Sequence, residues 1–296
     1  GLDHLEGRLR RWRIPATAIA PPRREPLTLA VDANGPAVPL SWARTSRWAG
    51  HVNLGDALSP VIVAAISGLR VVHRAYDSAD ERLAAVGTIA HGLRNGRIHI
   101  WGAGLDEKVN PIDRGAPWSR PPDTDYAVHA TRGPMTADAL RRQGVAAPEL
   151  FGDPVYLLDR FFPMDGIEKT HDLGVILHLS ELGPWRRGAR EPNVDPSLRR
   201  YEVPKAFRDR VRVMDTRVEP TFEAMRQRIH EIASCRAILS TSLHGLVIAD
   251  VYGVPNAWFG FSDYGLKRVD PLDRRAALDH RVRDLYAGQG LARVAI

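Results

Sequence analysis

Residues 237–259, AILSTSLHGLVIADVYGVPNAWF, form the stretch that decides the fold. Its first residues, 237–240, are an apolar run with the length of a buried strand, and a polar turn follows them. Residues 246–252 then predict a helix, and residues 256–259 predict a second strand beyond a glycine and a proline. Because a helix is the usual connection between two parallel strands, this stretch predicts an α/β fold.

The same alternation of strand, turn and helix extends over most of the chain from residue 40. Short apolar runs flanked by glycine or charge predict buried parallel strands at residues 70–73, 84–90, 98–103, 126–131, 173–178 and 211–214, and residues 41–44 predict an extended segment. Helices are predicted at residues 56–67, with Asp56 or Ser59 as the cap, and at 134–143 and 221–233. Two such blocks predict two Rossmann-like domains that face each other across a cleft.

Changes in composition set the predicted domain boundaries. Residues 1–38 predict a basic helix and a proline-rich tether with one strand near 27–31, residues 39–165 the N-terminal Rossmann-like domain, residues 166–265 the C-terminal one, and residues 266–296 a helical tail. Residues 183–209 combine basic side chains with prolines and predict a mobile basic loop.

The predicted N-terminal helix has one apolar stripe. Leu2, Leu5, Leu9 and Trp12 follow helical spacing within residues 1–14. Either this stripe packs on the body of the protein, or the helix rests on an anionic membrane.

Composition excludes several classes of protein. The 296 residues are 44% hydrophobic and 26% charged, which is typical of a globular protein and not of a disordered one. No apolar run is long enough to span a bilayer and none near the start resembles a signal peptide, so we expect a cytoplasmic protein, at the inner face of the membrane if the N-terminal helix binds lipid. The single cysteine, Cys235, excludes an internal disulfide, and no histidines have metal-ligand spacing; we predict no metal and no cofactor.

The basic residues are unusual in kind. The net charge is +6, and of the 41 basic residues 37 are arginine and 4 are lysine. Either a GC-rich genome or the binding of anions by guanidinium groups explains this bias. Because the arginines are spread along the chain without a basic stripe or interleaved aromatic residues, we predict no nucleic-acid partner.

Three turns between a strand and a helix bring polar side chains to the edge of a sheet where ligands bind. In residues 51–56, HVNLGD, Gly55 allows the backbone to approach a ligand, and the amides that follow suit an anion. Arg132 follows a strand and opens the R-G-P turn before the next helix. In residues 240–245, STSLHG, His244 lies near the positive end of a helix, where a lowered pKa suits proton transfer near neutral pH.

The order of these turns and of further motifs resembles the polysaccharide pyruvyl transferase family over roughly residues 50–260. The matching residues are Asn53, Gly55 and Asp56; Trp101, Gly102 and Gly104; Arg132 and Gly133; Gly152, Asp153 and Pro154; Ser240 through Gly245; and Gly253 and Pro255. The ordered set is specific, although each motif alone is common. The likeness is greatest to enzymes that decorate bacterial exopolysaccharide repeat units.

The resemblance implies a fold, a reaction and a set of donor contacts. The fold is glycosyltransferase-B-like, and the reaction transfers pyruvate from phosphoenolpyruvate to two hydroxyls of a sugar in an exopolysaccharide or cell-surface glycan, forming a ketal and releasing phosphate. The implied donor contacts are Arg132, Leu243 and His244. Some relatives carry R-L-H where this chain has S-L-H with Ser242, so we expect another cation from the basic loop, at Arg186, Arg187 or Arg190.

Together, the residues and the resemblance predict a donor site and an acceptor site. The donor site, for phosphoenolpyruvate, comprises Arg132, Ser242, Leu243, His244, Gly245, Asn53 and Gly55, with His244 as the catalytic acid that protonates the methylene carbon. The acceptor site, for a sugar or a lipid-linked oligosaccharide, comprises Asp56, Trp101, Trp258 and Asp263, and Trp118 is a further candidate. Each tryptophan is equally a candidate for the core.

Two other functions stay open. A glycosyltransferase with a nucleotide-sugar donor has the same fold, but no pair of glutamates spaced to bind the sugar nucleotide follows residues 240–245. Asp123 and Asp125 have the D-x-D spacing of a metal site in sugar transferases and equally suit a loop before a strand. The second alternative, a non-enzymatic protein that binds an anionic polysaccharide or nucleic acid, predicts strongly salt-dependent binding.

Overall fold

The chain forms two β-sheets, each with parallel strands, and five helices that cover them in the residues that the structure describes. The structure is a computed structural model, and it describes residues 30–32, 35–45, 49–189, 191–195, 201–260, 268–273, 275–276 and 278–296. The predicted N-terminal helix, Arg190 and Asp263 lie outside these residues.

The strands and helices alternate along the chain. The strands are β1 (Ala30–Asp32), β2 (Gly35–Ser41), β3 (Val52–Asn53), β4 (Arg70–His73), β5 (Arg82–Ala84), β6 (Gly96–Trp101), β7 (Thr124–Ala130), β8 (His171–Leu177), β9 (Val211–Asp215), β10 (Arg217–Val218), β11 (Cys235–Ser240), β12 (Asn256–Trp258), β13 (Arg268–Val269) and β14 (Val294–Ala295). The helices are α1 (Leu54–Ser67), α2 (Pro134–Arg142), α3 (Phe222–Ala233), α4 (Leu243–Val251) and α5 (His280–Gly288).

The first sheet has six strands. β2, β5, β6 and β7 are neighbours in this order and run parallel, β4 joins β2 in parallel, and β1 pairs with β2 in the antiparallel sense. In its register Ile98 of β6 lies opposite Tyr126 of β7, and both side chains are buried. This sheet confirms the parallel arrangement that the short apolar runs of the first half predict.

The second sheet is parallel throughout, in the order β12-β11-β8-β9. α4 connects β11 to β12, so the stretch at residues 237–259 is the strand, helix and strand that its sequence predicts. A short antiparallel ribbon between β3 and β10 links the two halves of the chain directly before α1.

Several boundaries differ from the predicted ones, each for a local reason. The predicted strand at 84–90 is β5 at Arg82–Ala84, because Gly87 takes a positive φ of 101° and turns the chain out of the sheet. The residues after β5 are apolar because their loop is buried. The extended segment predicted at 41–44 lies earlier, in β2, whose side chains Val38 and Leu40 are buried.

Two helices begin earlier than predicted. The N-cap position of α1 is Asn53 and not Asp56 or Ser59; the Asn53 side chain makes no capping hydrogen bond, and the carbonyl of Thr216 holds the amide of Leu54 at 2.7 Å. Pro60 therefore lies inside α1, where it removes a backbone hydrogen bond. α4 begins at Leu243 and not at residue 246, which places His244 in the first turn of that helix.

One apolar core connects the two sheets. Leu40 of the first sheet and Ile176 of the second belong to a single cluster of buried side chains, and Leu58 of α1, Leu158 and Leu246 of α4 lie between them. No helix in the described part of the chain is both long and apolar enough to cross a membrane.

The basic loop packs on the body of the protein in its described part. The ring of Trp185 lies 5.2 Å from the ring of His51, and the Arg187 guanidinium pairs with Glu219 at 3.2 Å. Residues 266–296, predicted as a helical tail, contain α5 together with the small ribbon of β13 and β14.

Candidate active site

The carboxyl ends of the strands in both sheets lead to one polar region. Arg132 follows β7 in the first sheet, while His178 and Ser242 follow β8 and β11 in the second. The amide of His178 donates to Thr241 Oγ1 at 2.8 Å, which ties the ends of β8 and β11 together. Ligands of α/β proteins bind at such carboxyl edges.

His244 faces a buried aspartate from the other half of the chain. Its Nε2 lies 3.6 Å from Asp153 Oδ2, and neither atom has a hydrogen-bond partner among the described residues. The other oxygen, Asp153 Oδ1, accepts a hydrogen bond from the amide of Val155 at 3.0 Å, so the carboxylate has a fixed orientation. The Asp153 carboxylate thus faces the His244 imidazole in a fixed position.

The first turn of α1 packs against the other side of the imidazole. A Cβ atom at Gly55 would overlap with Nδ1 of His244, so a residue without a side chain is required there. Asn53 Nδ2 donates to Asp56 Oδ2 at 2.9 Å. Burial raises the pKa of Asp56, although the charge of His244 and the hydrogen bond from Asn53 act in the opposite direction.

Arg132 is a buried guanidinium with unused donors. Its side chain is 1% exposed, Nη1 donates to Thr88 Oγ1 at 2.5 Å, and Nε lies 3.5 Å from Asp284 Oδ2. Nε and Nη2 have no hydrogen-bond partner in the described part of the chain. Burial lowers the pKa of Arg132, and the charges of Asp284 and Asp153 counteract that effect. Because buried donors without acceptors are unfavourable, this group is suited to receive an anion.

Two glycines of the W-G-x-G motif make room for these groups. A Cβ atom at Gly104 would overlap with the Arg132 guanidinium, and one at Gly102 would overlap with Pro154. Gly102 also has a φ of 91°, which favours glycine. The motif therefore lets the loop after β6 pack closely against both Arg132 and the segment that carries Asp153.

The third turn presents the start of α4. Ser242 is the N-cap of the helix, and its side chain makes no capping hydrogen bond. Ser240 Oγ instead holds the turn, since it donates to the carbonyl of Ser242 at 2.8 Å and accepts from its amide at 3.0 Å. The amides of the first turn and the Ser242 hydroxyl are thus available at the positive end of the helix dipole.

The predicted site residues fall into two groups. His244, Arg132, Asn53, Gly55, Asp56 and Ser242 lie around the polar region described above. Leu243 and Trp258 are buried in the apolar core, Trp101 packs partly against it, and Gly245 packs against Ser240 and Ile176. Trp118 is buried in the separate core of the first sheet. Asp123 and Asp125 lie at the amino end of β7, opposite the carboxyl edge.

Sequence reasoning missed three residues of this region. Asp153 is part of the quoted G-D-P motif, but nothing in the motif indicated that it faces His244. Asp284 and Arg281 lie on α5, where no motif pointed to the site. Asp284 accepts from the amides of Met135 and Thr136 at 2.9 and 3.1 Å and so caps α2 while facing Arg132.

The described residues contain no group of three or more histidine, cysteine, aspartate or glutamate side chains that is arranged to hold a metal ion. The arrangement can bind a small anion at Arg132 and α4, and it can move a proton at His244.

Comparisons with known proteins agree with the motifs. Residues 53–263 match the family model of the polysaccharide pyruvyl transferases, which is most of the chain. No curated protein matches the chain significantly. The matched residues include the first turn from Asn53 onward, the other two turns, Asp153 and the strand, helix and strand at 237–259, so the chain belongs to the polysaccharide pyruvyl transferase family.

Proposed function

We propose that the protein transfers pyruvate from phosphoenolpyruvate to two hydroxyls of one sugar in an exopolysaccharide or cell-surface glycan, forming a ketal and releasing phosphate. The observation that carries the proposal is the buried Arg132, two of whose nitrogens have no hydrogen-bond partner in the described part of the chain, within a site that also holds His244. Family membership supports a pyruvyl transfer to a polysaccharide.

The donor has two anionic groups, a phosphate and a carboxylate. Among the described residues Nη2 of Arg132 has no acceptor and Nε has only the 3.5 Å contact with Asp284, so these two nitrogens suit the two oxygens of one such group, because a guanidinium binds two oxygens side by side. The amides at the start of α4 and the Ser242 hydroxyl suit an anion in the same way. Phosphoenolpyruvate thus satisfies donors that the protein itself leaves without partners.

The chemistry follows from this placement. Protonated His244 gives its proton to the methylene carbon of phosphoenolpyruvate, which becomes a methyl group, and a sugar hydroxyl attacks the adjacent carbon. The carbon–oxygen bond to phosphate then breaks, and the second hydroxyl attacks the same carbon to close the ketal ring. Of the two hydroxyl protons, one replaces the proton lost by His244 and the other leaves with phosphate.

Asp153 and Asp56 support these steps in different ways. Asp153, 3.6 Å from His244 Nε2, faces the imidazole and orients it. Asp56, oriented by Asn53, accepts a hydrogen bond from the attacking hydroxyl. Positive charge that develops on the ketal carbon is stabilised by these fixed carboxylates, and the leaving phosphate by Arg132.

We also infer that residues 39–165 and 166–265 are two Rossmann-like domains in a glycosyltransferase-B-like arrangement. The two parallel sheets and the polar region at their carboxyl edges support this inference. In such an arrangement the donor and the acceptor enter between the domains, and the acceptor approaches from the side of Asp56.

The test is release of phosphate from phosphoenolpyruvate by the purified chain with a panel of oligosaccharide and lipid-linked acceptors. We expect release with at least one acceptor and formation of a product that carries a ketal. His244→Ala and His244→Gln should lower turnover about 100-fold or more, the contribution typical of a general acid. His230→Gln, a change at an exposed histidine of α3, is the matched control and should leave turnover unchanged.

Two results would refute the proposal. The donor assignment is wrong if no acceptor yields phosphate and phosphoenolpyruvate does not raise the melting temperature, whereas a rise with a nucleotide sugar would favour the glycosyltransferase alternative. The acid role is wrong if both His244 variants keep turnover within about threefold of the parent, because a general acid contributes far more than that.

A further inference from the structure

The donor site has fewer cations than its ligand has anionic groups. Arg132 is buried in it, and Ser242, directly before Leu243 and His244, is uncharged. The structure describes two of the arginines expected to compensate, Arg186 and Arg187, and both are exposed; the side chain of Arg187 is 78% exposed.

Arg281 of α5 is a cation that the motifs did not indicate. Its Nε and Nη2 bind the two oxygens of Asp279 at 2.8 and 3.0 Å, and its Nη1 lies 3.1 Å from His178 Nε2. His178 Nδ1 accepts a hydrogen bond from the amide of Ser180 at 3.2 Å and lies 2.8 Å from the Ser180 hydroxyl, so the imidazole is held between Ser180 and Arg281. These contacts fix the plane of the guanidinium and leave one N–H on each terminal nitrogen for a ligand.

The position of Arg281 connects it to the donor site. His178 bonds through its amide to Thr241, which directly precedes Ser242. The charge of Arg281 also acts on Asp56, whose pKa it lowers against the larger effect of burial. It acts on Arg132 as well, where it adds to the lowering of the pKa by burial. Arg281 therefore lies within electrostatic reach of both ends of the site.

Close packing fixes α5 against the turn that carries Arg132 and against the start of α2. A Cβ atom at Gly133 would overlap with the carbonyl of Asp284, and one at Gly288 would lie 2.9 Å from the carbonyl of Arg132. The turn that carries Arg132 is thus in direct contact with α5. Asp284 adds three hydrogen bonds to the start of α2, from two amides and the Thr136 hydroxyl.

We propose that Arg281 is the second cationic donor-binding residue, and that α5, outside the matched residues 53–263, forms one wall of the donor site. Its ligand is the carboxylate or the phosphate of phosphoenolpyruvate, whichever Arg132 does not hold. The proposal rests on the proposed function for the identity of the donor. The second positive charge therefore comes from α5, which follows α4 in the chain after β12 and β13.

The test compares Arg281→Gln and Arg281→Lys with a matched control, Arg275→Gln. Arg275 also pairs with the aspartate two residues before it, at 3.2 Å from Asp273, but its side chain is 93% exposed. We expect Arg281→Gln to raise the KM for phosphoenolpyruvate and the Kd for inorganic phosphate about 10- to 100-fold, the usual range for a charged hydrogen bond. Arg281→Lys should recover part of this loss, and Arg275→Gln should show none.

The outcomes separate this inference from the proposed function. An unchanged KM and phosphate Kd in Arg281→Gln would overturn the inference while leaving the proposed function intact. If the parent releases no phosphate but binds phosphate and Arg281→Gln weakens that binding, the anion site stands and only the proposed reaction fails. A loss of circular-dichroism signal in both Arg281 variants, with no recovery in the lysine variant, would assign Arg281 a structural role and overturn the inference.

Discussion

Arg82 and Arg132 are both buried in the first half of the chain, at 0% and 1% exposure, yet their surroundings are opposite. Arg82 begins β5, at the amino edge of the first sheet, and every nitrogen of its guanidinium donates. Its acceptors, at 2.6 to 3.1 Å, are the Ser41 hydroxyl and the carbonyls of Tyr76, Ser78, Asp80, Arg94 and Asn95. Arg132, at the carboxyl edge, keeps two nitrogens without partners in the described residues.

This difference is the one expected between a structural arginine and the arginine that we propose binds the donor. A buried guanidinium is tolerated when carbonyls replace the water it has lost, and Arg82 meets that condition within the protein itself. Arg132 does not, so its unpartnered donors lower the stability of the free protein and strengthen the binding of an anion that supplies acceptors. Burial alone therefore does not identify a binding residue, whereas burial with unused donors does.

Arg132→Met is expected to have the largest effect on activity. Turnover of phosphoenolpyruvate should fall about 100- to 1000-fold, as when a preorganised donor to the transition state is removed. The free energy of unfolding should fall less than in Arg82→Met, because Arg132 loses one hydrogen bond, to Thr88, and a 3.5 Å contact with Asp284, whose carboxylate keeps three donors from the start of α2. Steady-state kinetics measures the loss of turnover, and urea unfolding measures the stability. A loss of stability as large as that of Arg82→Met would contradict the comparison.

Arg82→Met is expected to show the reverse. It leaves five carbonyls and one hydroxyl without their donor, so the free energy of unfolding should fall by about 3–5 kcal/mol. The kcat of the folded fraction should match the parent, since Arg82 lies at the other edge of the sheet. A urea midpoint within error of the parent's would show that the carbonyl cage is not what stabilises this edge.

A matched pair of smaller changes tests the same contrast. Thr88→Val removes the hydroxyl that accepts from Arg132, and Ser41→Ala removes the hydroxyl that accepts from Arg82. Each lost hydrogen bond is worth about 1 kcal/mol. We expect Thr88→Val to raise the KM for phosphoenolpyruvate severalfold with little change in stability, and Ser41→Ala to lower the urea midpoint with an unchanged KM.

The smallest expected effect is a pH dependence confined to the carboxyl edge. Burial raises the pKa of Asp56, and its ionised form is the one that binds a hydroxyl proton. kcat/KM of the parent should therefore decline on the acid side at a higher pH than an ordinary aspartate would give, and at low pH it should approach the value of Asp56→Asn.

The pH dependence of the free energy of unfolding tests the raised pKa of Asp56 independently of activity. A raised pKa means that the folded state binds more protons than the unfolded state, so the stability of the parent falls as pH rises through this window. Asp56→Asn should thus be more stable than the parent at neutral pH, and the difference should vanish at a pH below the unfolded pKa. Equal stabilities at neutral pH would show that Asp56 is not held in an unfavourable environment.

Much of the fold was predictable because it depends on local patterns. The apolar run at residues 173–178 and the alternation at 237–259 correspond to β8, β11, α4 and β12 within a few residues. The predicted element boundaries were wrong where buried apolar residues lie in a loop and not in a strand. Ala85 and Val86 are buried in a loop, so an apolar run there predicted a longer strand than β5.

The candidate site was predictable only in part, for a similar reason. Polar residues at the ends of strands share an edge, so the approximate place of Arg132 and His244 follows from the order of the elements. The order of the elements does not indicate which residues face Arg132 and His244. Asp153 contacts His244 across the two halves of the chain, and Arg281 lies on a helix with no motif of its own.

The sequence by itself determined the element types, the order of the three turns and the family, because periodicity, caps and motif spacing are properties of neighbouring residues. Only the tertiary structure decided which buried arginine has all its donors satisfied and which does not. It also decided that Gly55 makes room for His244 and that α5 brings Arg281 into contact with His178. These are contacts between residues far apart in the chain, and their geometry depends on how the two sheets pack on their common core.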